Sequence, residues 1–162
     1  MIKVMKVKVL FLDIDGVLNS AAWYERRTKE QQFSGLCELD IEAMHLYDEI
    51  VERTGCNVVL SSVWRLAENY KERLERQGLN TNKIIDRTPS MPRPRDTGTE
   101  YAERGKEIKA WLDSKLMGLP CVYAILDDDS DMLPEQPHFK TSWQTGLTRE
   151  IAEAVIKHLN NE

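Results

Sequence analysis

A chain of 162 residues with a formal net charge of −5 has the length of one domain and can bury most of the surface that its unfolded form exposes. Its 41% hydrophobic and 30% charged residues exclude a disordered chain or a disulfide scaffold, and no apolar run approaches the roughly 20 residues of a membrane helix. The acidic balance argues against a protein that coats nucleic acid non-specifically, while leaving room for a local basic groove.

The opening MIKVMKVKVLFLDIDG is basic and then apolar, as a secretory signal is. It runs directly into Asp13 and Asp15, lacks a small-residue cleavage site, and alternates Val with Lys as a strand does. We expect a strand over Lys6–Leu12 in a cytoplasmic protein. The stretch from Asn19 to Leu39 has no regular pattern. Ile41–Thr54 follows as a helix, with Ile41, Met44, Tyr47 and Val51 on one face and Gly55 as its stop. A β-branched run, Cys56–Ser61, predicts a second strand, and Leu66–Gln77 a second helix that ends at Gly78.

A short strand is expected at Lys83–Ile85. The segment Asp86–Glu103 carries three prolines and reads as a long loop, of the kind that is usually functional when it occurs in a compact domain. A helix over Gly105–Met117, a strand over Cys121–Asp127, a short strand near His138–Phe139 and a helix over Arg149–Leu159 behind the N-cap Thr148 complete the chain. Cys37, Cys56 and Cys121 lack metal-binding spacing and read as reduced thiols. His45 belongs at the margin of a helix's apolar stripe, and His138 and His158 at the surface. Strands that alternate with helices mean βαβ units, hence one α/β domain over residues 1–162 with a Rossmann-like parallel sheet flanked by helices.

Ligands of open parallel sheets bind beyond the carboxyl ends of the strands. The three clearest strands end in Asp13-Ile-Asp15-Gly16, Ser61-Ser62-Val-Trp-Arg65 and Asp127-Asp128-Asp129-Ser-Asp131. Carboxylates gathered in this way repel one another unless a cation neutralises them, and hard oxygen ligands with few histidines favour Mg²⁺ over zinc. Asp13 and Asp15, two residues apart at a turn forced by Gly16, suit a division of labour between a nucleophile and an acid/base.

These residues resemble the haloacid dehalogenase (HAD) superfamily. FLDIDGVLN is similar to its first motif, VVLSS to the second, RGKEI to the third and ILDDDSD to the fourth, in the family's order over about residues 9–131. SSVWR, RGKEIKAWL and the stretch from Phe139 through Thr148 further resemble a capless HAD subgroup found in Swiss-army-knife RNA repair proteins and as stand-alone, often phage-encoded, domains. The resemblance implies a phosphatase that works through an aspartyl-phosphate. Asp13 would be the nucleophile, and Asp15 the acid/base that also offers its backbone carbonyl to Mg²⁺. Ser61 would bond the phosphoryl oxygen, and Arg104 or Lys106 would be the fixed cation. Asp127 and Asp128 would complete the metal shell, with Asp131 as support or alternative ligand.

Ser62 and Arg65 are further candidates for substrate binding. Trp23, Tyr24, Arg26 and Arg27 fall in the flap expected at about residues 19–39 and offer aromatics with positive charge. That flap and the long loop at about 86–103 leave no evident cap, so the site should be open. Arg87, Arg93, Arg95 and Arg104 could border it with positive potential. The expected substrate is a nucleic-acid end, with 3′-phosphate removal the sharper reading. A small-molecule phosphatase or 5′-nucleotidase, or a non-catalytic phosphate-binding module, is the alternative. A monomer without membrane contact is expected, and the absence of GxxxxGK[ST] means that no P-loop kinase accompanies the domain.

Overall fold

The computed structural model describes residues 4–91 and 103–161, so the expected contributions of Arg93 and Arg95 lie outside the described residues. Strands β1 (Val7–Leu12), β2 (Asn57–Leu60), β3 (Ile84–Arg87), β4 (Cys121–Asp127) and β5 (His138–Lys140) form one parallel sheet in the order β3-β2-β1-β4-β5. The described helices are α1 (Ala21–Arg26), α2 (Lys29–Ser34), α3 (Ile41–Thr54), α4 (Tyr70–Arg76), α5 (Glu103–Lys115) and α6 (Arg149–Leu159), and a 3₁₀ turn spans Val63–Leu66. The expected α/β Rossmann-like architecture is present.

β1 is central, and its residues Val9 to Leu12 are fully buried because both faces of the sheet are covered. Leu10 and Leu12 face one core with Met44, Tyr47 and Ile50 of α3, Leu74 of α4, and Val155 and Leu159 of α6. Val9 and Phe11 face the other, with Ile108 and Trp111 of α5 and Ile125 of β4. Right-handed crossovers explain the division. The chain steps one way from β1 to β2 and β3 and then crosses back to β4, so the returning helix α5 covers the opposite face.

Local signals set some boundaries closely. Thr148 accepts a bond from Ile151 N–H, and α6 spans Arg149–Leu159 as its pattern implies. Three expectations need correction. The helix expected over Leu66–Gln77 is divided: the 3₁₀ turn ends with Ala67 extended, and α4 begins only at Tyr70. The buried face of α3 is Ala43, Met44, Tyr47, Ile50 and Thr54, while Ile41 at its first position is exposed. His138 and His158 are half-buried, and each donates from Nε2 to a β4 carbonyl, of Asp127 at 3.0 Å and of Tyr123 at 2.8 Å. The stretch from Asn19 to Leu39 folds into α1 and α2, each closed by a Ser20 or Thr28 cap.

Phe11 is fully buried and meets Trp111 and Tyr123 edge-on, with centroids 5.5 and 5.7 Å away. Phe11→Ala should therefore cost roughly 3–5 kcal/mol of stability. Urea unfolding should show a lowered midpoint with an unchanged slope, and a loss under 1 kcal/mol would mean that the α5 face of the sheet is not a packed core.

Candidate active site

The reversal of strand order falls between β1 and β4, where an open α/β sheet leaves a crevice at its carboxyl edge. Asp13 leaves β1 with its N–H on Leu126 O at 2.9 Å, Ser61 leaves β2 with its N–H on Leu12 O at 2.8 Å, and Asp127 closes β4. One carboxylate oxygen from each of Asp13, Asp127 and Asp128 lies within 4.8 Å of the others. Asp127 Oδ1 accepts the Asp129 N–H at 2.9 Å, which fixes its rotamer, while Asp129 itself is exposed. Gly16 sits at φ +80°, and a Cβ there would fall 2.1 Å from Asp128 Oδ2, so a residue without a side chain is required.

Burial and mutual repulsion make this cluster hungry for positive charge. Burial, then the neighbouring Asp127, push the Asp13 carboxyl up to about 8, against the opposing pull of Arg104. Burial raises Asp127 to about 6, again with Arg104 opposing. Burial disfavours the charge on Arg104, but Asp13 and Asp127 outweigh it and hold the guanidinium above its usual range. Three hard oxygens, with no sulfur or imidazole in the cluster, form a donor set suited to a small divalent cation.

Arg104 meets two of these carboxylates. Its Nη1 lies 3.2 Å from both Asp13 Oδ1 and Asp127 Oδ2, and it donates to Ser61 O. Its place follows from the start of α5: Asp131 accepts the Arg104 N–H on Oδ2 at 3.2 Å and the Gly105 N–H on its carbonyl at 3.1 Å. A carboxylate at a helix N-terminus satisfies free N–H groups and matches the dipole. Asp131 thus anchors the helix that carries Arg104 and lies outside the three-carboxylate cluster. Lys106 is half-buried two residues further along α5.

The Ser61 hydroxyl is buried and finds no hydrogen-bond partner among the described residues, a costly state that a substrate oxygen would relieve. Ser62 faces a different task. Its Oγ accepts the Trp64 N–H at 3.3 Å and caps the 3₁₀ turn. The expectation that Arg65 contacts substrate phosphate gives way to a bracing role. Its side chain is buried, and three of its N–H groups donate to Thr88 O at 3.1 Å, Ser62 O at 2.7 Å and Glu107 Oε2 at 3.0 Å. Glu107 Oε2 also accepts the Met91 N–H at 2.8 Å.

Two residues that hold Asp15 went unassigned in the sequence. Asn19 Nδ2 donates to Asp15 Oδ1 at 2.8 Å while its Oδ1 accepts the Gly16 N–H at 2.9 Å, and Trp64 Nε1 spans both Asp15 oxygens at 3.3 and 3.2 Å. The position of Asn19 one turn beyond the DxDG was a usable signal. In the flap, Trp23 is buried with Nε1 on Cys37 O at 3.0 Å, whereas Tyr24 is half-buried. Arg87 is occupied by Arg65 O and Ala67 O, at 2.6 and 3.2 Å.

The raised Asp13 carboxyl gives a stability prediction for the metal-free protein. A folded value of about 8 against 3.8 unfolded makes Asp13 destabilising above about pH 4, increasingly so as pH rises to about 8. In EDTA, Asp13→Asn should accordingly melt higher than the wild type at pH 8, with the gain fading towards pH 4. A melting temperature below that of the wild type at pH 8 would contradict this electrostatic picture.

Among curated proteins, a search finds no significant match. The family model described as the HAD domain in Swiss Army Knife RNA repair proteins matches residues 9–152, a span that holds most of β1, the whole of β2 to β5, the three clustered aspartates and Arg104. HAD domains generally use Mg²⁺, which agrees with the donor set at the crevice. The chain therefore belongs to the family of HAD domains found in Swiss Army Knife RNA repair proteins, and that membership implies a hydrolase of phosphatase type.

Proposed function

We propose that the chain is a Mg²⁺-dependent phosphomonoesterase that acts through an aspartyl-phosphate on phosphorylated nucleic-acid ends. The observation that carries this reading is the convergence of Asp13, Asp127 and Arg104 beside the buried Ser61 hydroxyl, which has no partner among the described residues. An Asp13 oxygen attacks phosphorus as the bond to the leaving oxygen breaks, and Asp15 donates its proton to that oxygen. Asp15, now a carboxylate, then takes a proton from water, whose oxygen attacks the phosphorus. The Asp13–phosphate bond breaks, and Asp13 and inorganic phosphate are released.

Asp13, Asp127 and Asp128, with the Asp15 carbonyl, would hold Mg²⁺, which when bound neutralises the crowded carboxylates and the phosphate and so keeps the nucleophile ionised. Ser61 Oγ donates to a phosphoryl oxygen. Arg104, in preference to Lys106, is the fixed cation that balances the charge passed from Asp13 to the phosphoryl group. Asn19 and Trp64 keep the Asp15 carboxyl in place between the two half-reactions.

The substrate class rests on access and kinship. Between β1 and β2 the chain adds only α1, α2 and α3, with no inserted second domain to close over the site, which suits a large substrate. The family takes its description from RNA repair, which favours a nucleic-acid end, and the 3′-phosphate is the form we favour.

Purified protein assayed over p-nitrophenyl phosphate, mononucleotides and oligonucleotides with 3′ or 5′ phosphates should hydrolyse the 3′-phosphorylated oligonucleotide best, and only with Mg²⁺. Asp13→Asn should abolish turnover, and Asp15→Asn should lower it by roughly 10²- to 10⁴-fold. Preference for free mononucleotides would move the reading to a small-molecule phosphatase, and full activity of Asp13→Asn would end the covalent mechanism. Mg²⁺ at about 100 times its dissociation constant should stabilise the fold by roughly 2.7 kcal/mol. Calorimetry checks this, and an unchanged melting temperature at millimolar Mg²⁺ would remove the metal site.

A further inference from the structure

The turn after β5 is fastened to the nucleophile loop by bonds from both of its ends. Thr141 donates from its N–H to Asp127 O at 3.1 Å and from Oγ1 to Gly16 O at 2.6 Å, so it touches two strand ends of the site. Two residues later, Trp143 O accepts the Ala21 N–H at 2.9 Å, and Gln144 O accepts the Ala22 N–H at 3.1 Å. The turn closes with Gly146 N–H on Ser142 O at 2.7 Å and Leu147 N–H on Val17 O at 2.8 Å. Gly146, at φ +66°, lies so close that a Cβ would sit 3.0 Å from Val17 O.

These bonds hold the backbone of Trp143 against the start of α1, between Thr141 and Leu147, which bond Gly16 and Val17 of the loop after β1, yet its side chain is left outside. Trp143 is 42% exposed and leans on Tyr24 of α1, with centroids 5.8 Å apart and planes tilted by 56°. Tyr24 is in turn fixed by the Arg27 guanidinium 4.5 Å from its ring centroid, and Arg27 is bonded to Cys37 O. Burial, then Glu38 and Asp15, raise the Tyr24 hydroxyl above its usual range, which places it within electrostatic reach of the acid/base. The neighbours of Trp143 in the turn, Ser142, Gln144 and Thr145, are polar and exposed.

An isolated aromatic face among polar residues does not form the contiguous apolar patch that a protein partner covers. It does fit a flat, polar-edged ring, and its anchorage to the nucleophile loop gives it a constant relation to the reacting phosphate. We propose that Trp143, backed by Tyr24, is the stacking platform for the nucleobase of the nucleotide that carries the scissile phosphate. The inference rests on the phosphomonoesterase reading and narrows its substrate to nucleotide-borne phosphates. Because every base offers a π-face, the platform tolerates any base and discriminates against the lack of one.

The test compares two fluorescein-labelled, 3′-phosphorylated oligonucleotides, identical except that one ends in a normal nucleotide and the other in an abasic tetrahydrofuran residue. Anisotropy with Asp13→Asn protein and Mg²⁺ should show the base-bearing end binding about 5- to 150-fold more tightly, the range that one stacked base confers. In Asp13→Asn/Trp143→Ala the ratio should fall towards one, and Trp143→Phe should keep part of it, with melting curves confirming that each variant is folded. Equal binding of the two ends, no binding of either, or a ratio that survives Trp143→Ala would overturn the platform. Turnover by the wild type separates the two readings. Hydrolysis without base discrimination removes the platform alone, whereas discrimination in binding without hydrolysis of any phosphomonoester removes the phosphatase alone.

Discussion

Three acidic side chains at the ends of β1 and β4 share a crevice, and burial there pushes the Asp13 and Asp127 carboxyls towards their neutral forms. Much of the surrounding structure supports the positive charge that this arrangement requires. Arg104 supplies one unit between Asp13 and Asp127, and Asp131 anchors the first turn of α5 that carries it. The Arg65–Glu107 pair is buried, and its worth lies less in the ion pair than in the backbone groups gathered around it. It joins the turn after β2, the end of β3 and the flank of α5 into one support for the crevice.

The clustered carboxylates were legible in the sequence because a strand that ends in acids is a local pattern: DIDG and DDDSD mark the edge of the sheet at which Asp13, Asp127 and Asp128 meet. α6 was legible for the same reason, since Thr148 and the helical stripe lie within one element. That Arg104 would lie against Asp13 and Asp127 could not be read from the sequence, because it depends on how α5 begins, and Asp131, 27 residues away, bonds its first turn. Likewise the Trp64–Asp15 bond spans 49 residues and the Arg65–Glu107 pair 42, so neither leaves a signature near its own residues. The face of α3 differed from its apparent stripe because packing on the sheet and α6 outweighed the local pattern at Ile41.

The flap illustrates how tertiary contacts give form to a segment without periodicity. α1 and α2 are short and would be marginal alone. α1 is held by Ser20, by the buried Trp23 and by the bonds from Ala21 and Ala22 to the turn after β5. The aromatic and basic residues of this stretch were visible as a group. Their sorting was not: Trp23 faces inward, and Trp143, from the opposite end of the chain, stands beside Tyr24.

Gly16 links the two halves of the centre. A Cβ on Gly16 would fall 2.1 Å from the Asp128 carboxylate, so the loop after β1 and the acidic loop after β4 lie in close contact there. Two constraints therefore meet at this position, the left-handed backbone of the turn and the closeness of Asp128, and neither bears on the hydrophobic sheet beneath. A side chain at the residue that follows the DxD would thus push the two acidic loops apart while leaving every acid in the sequence unchanged.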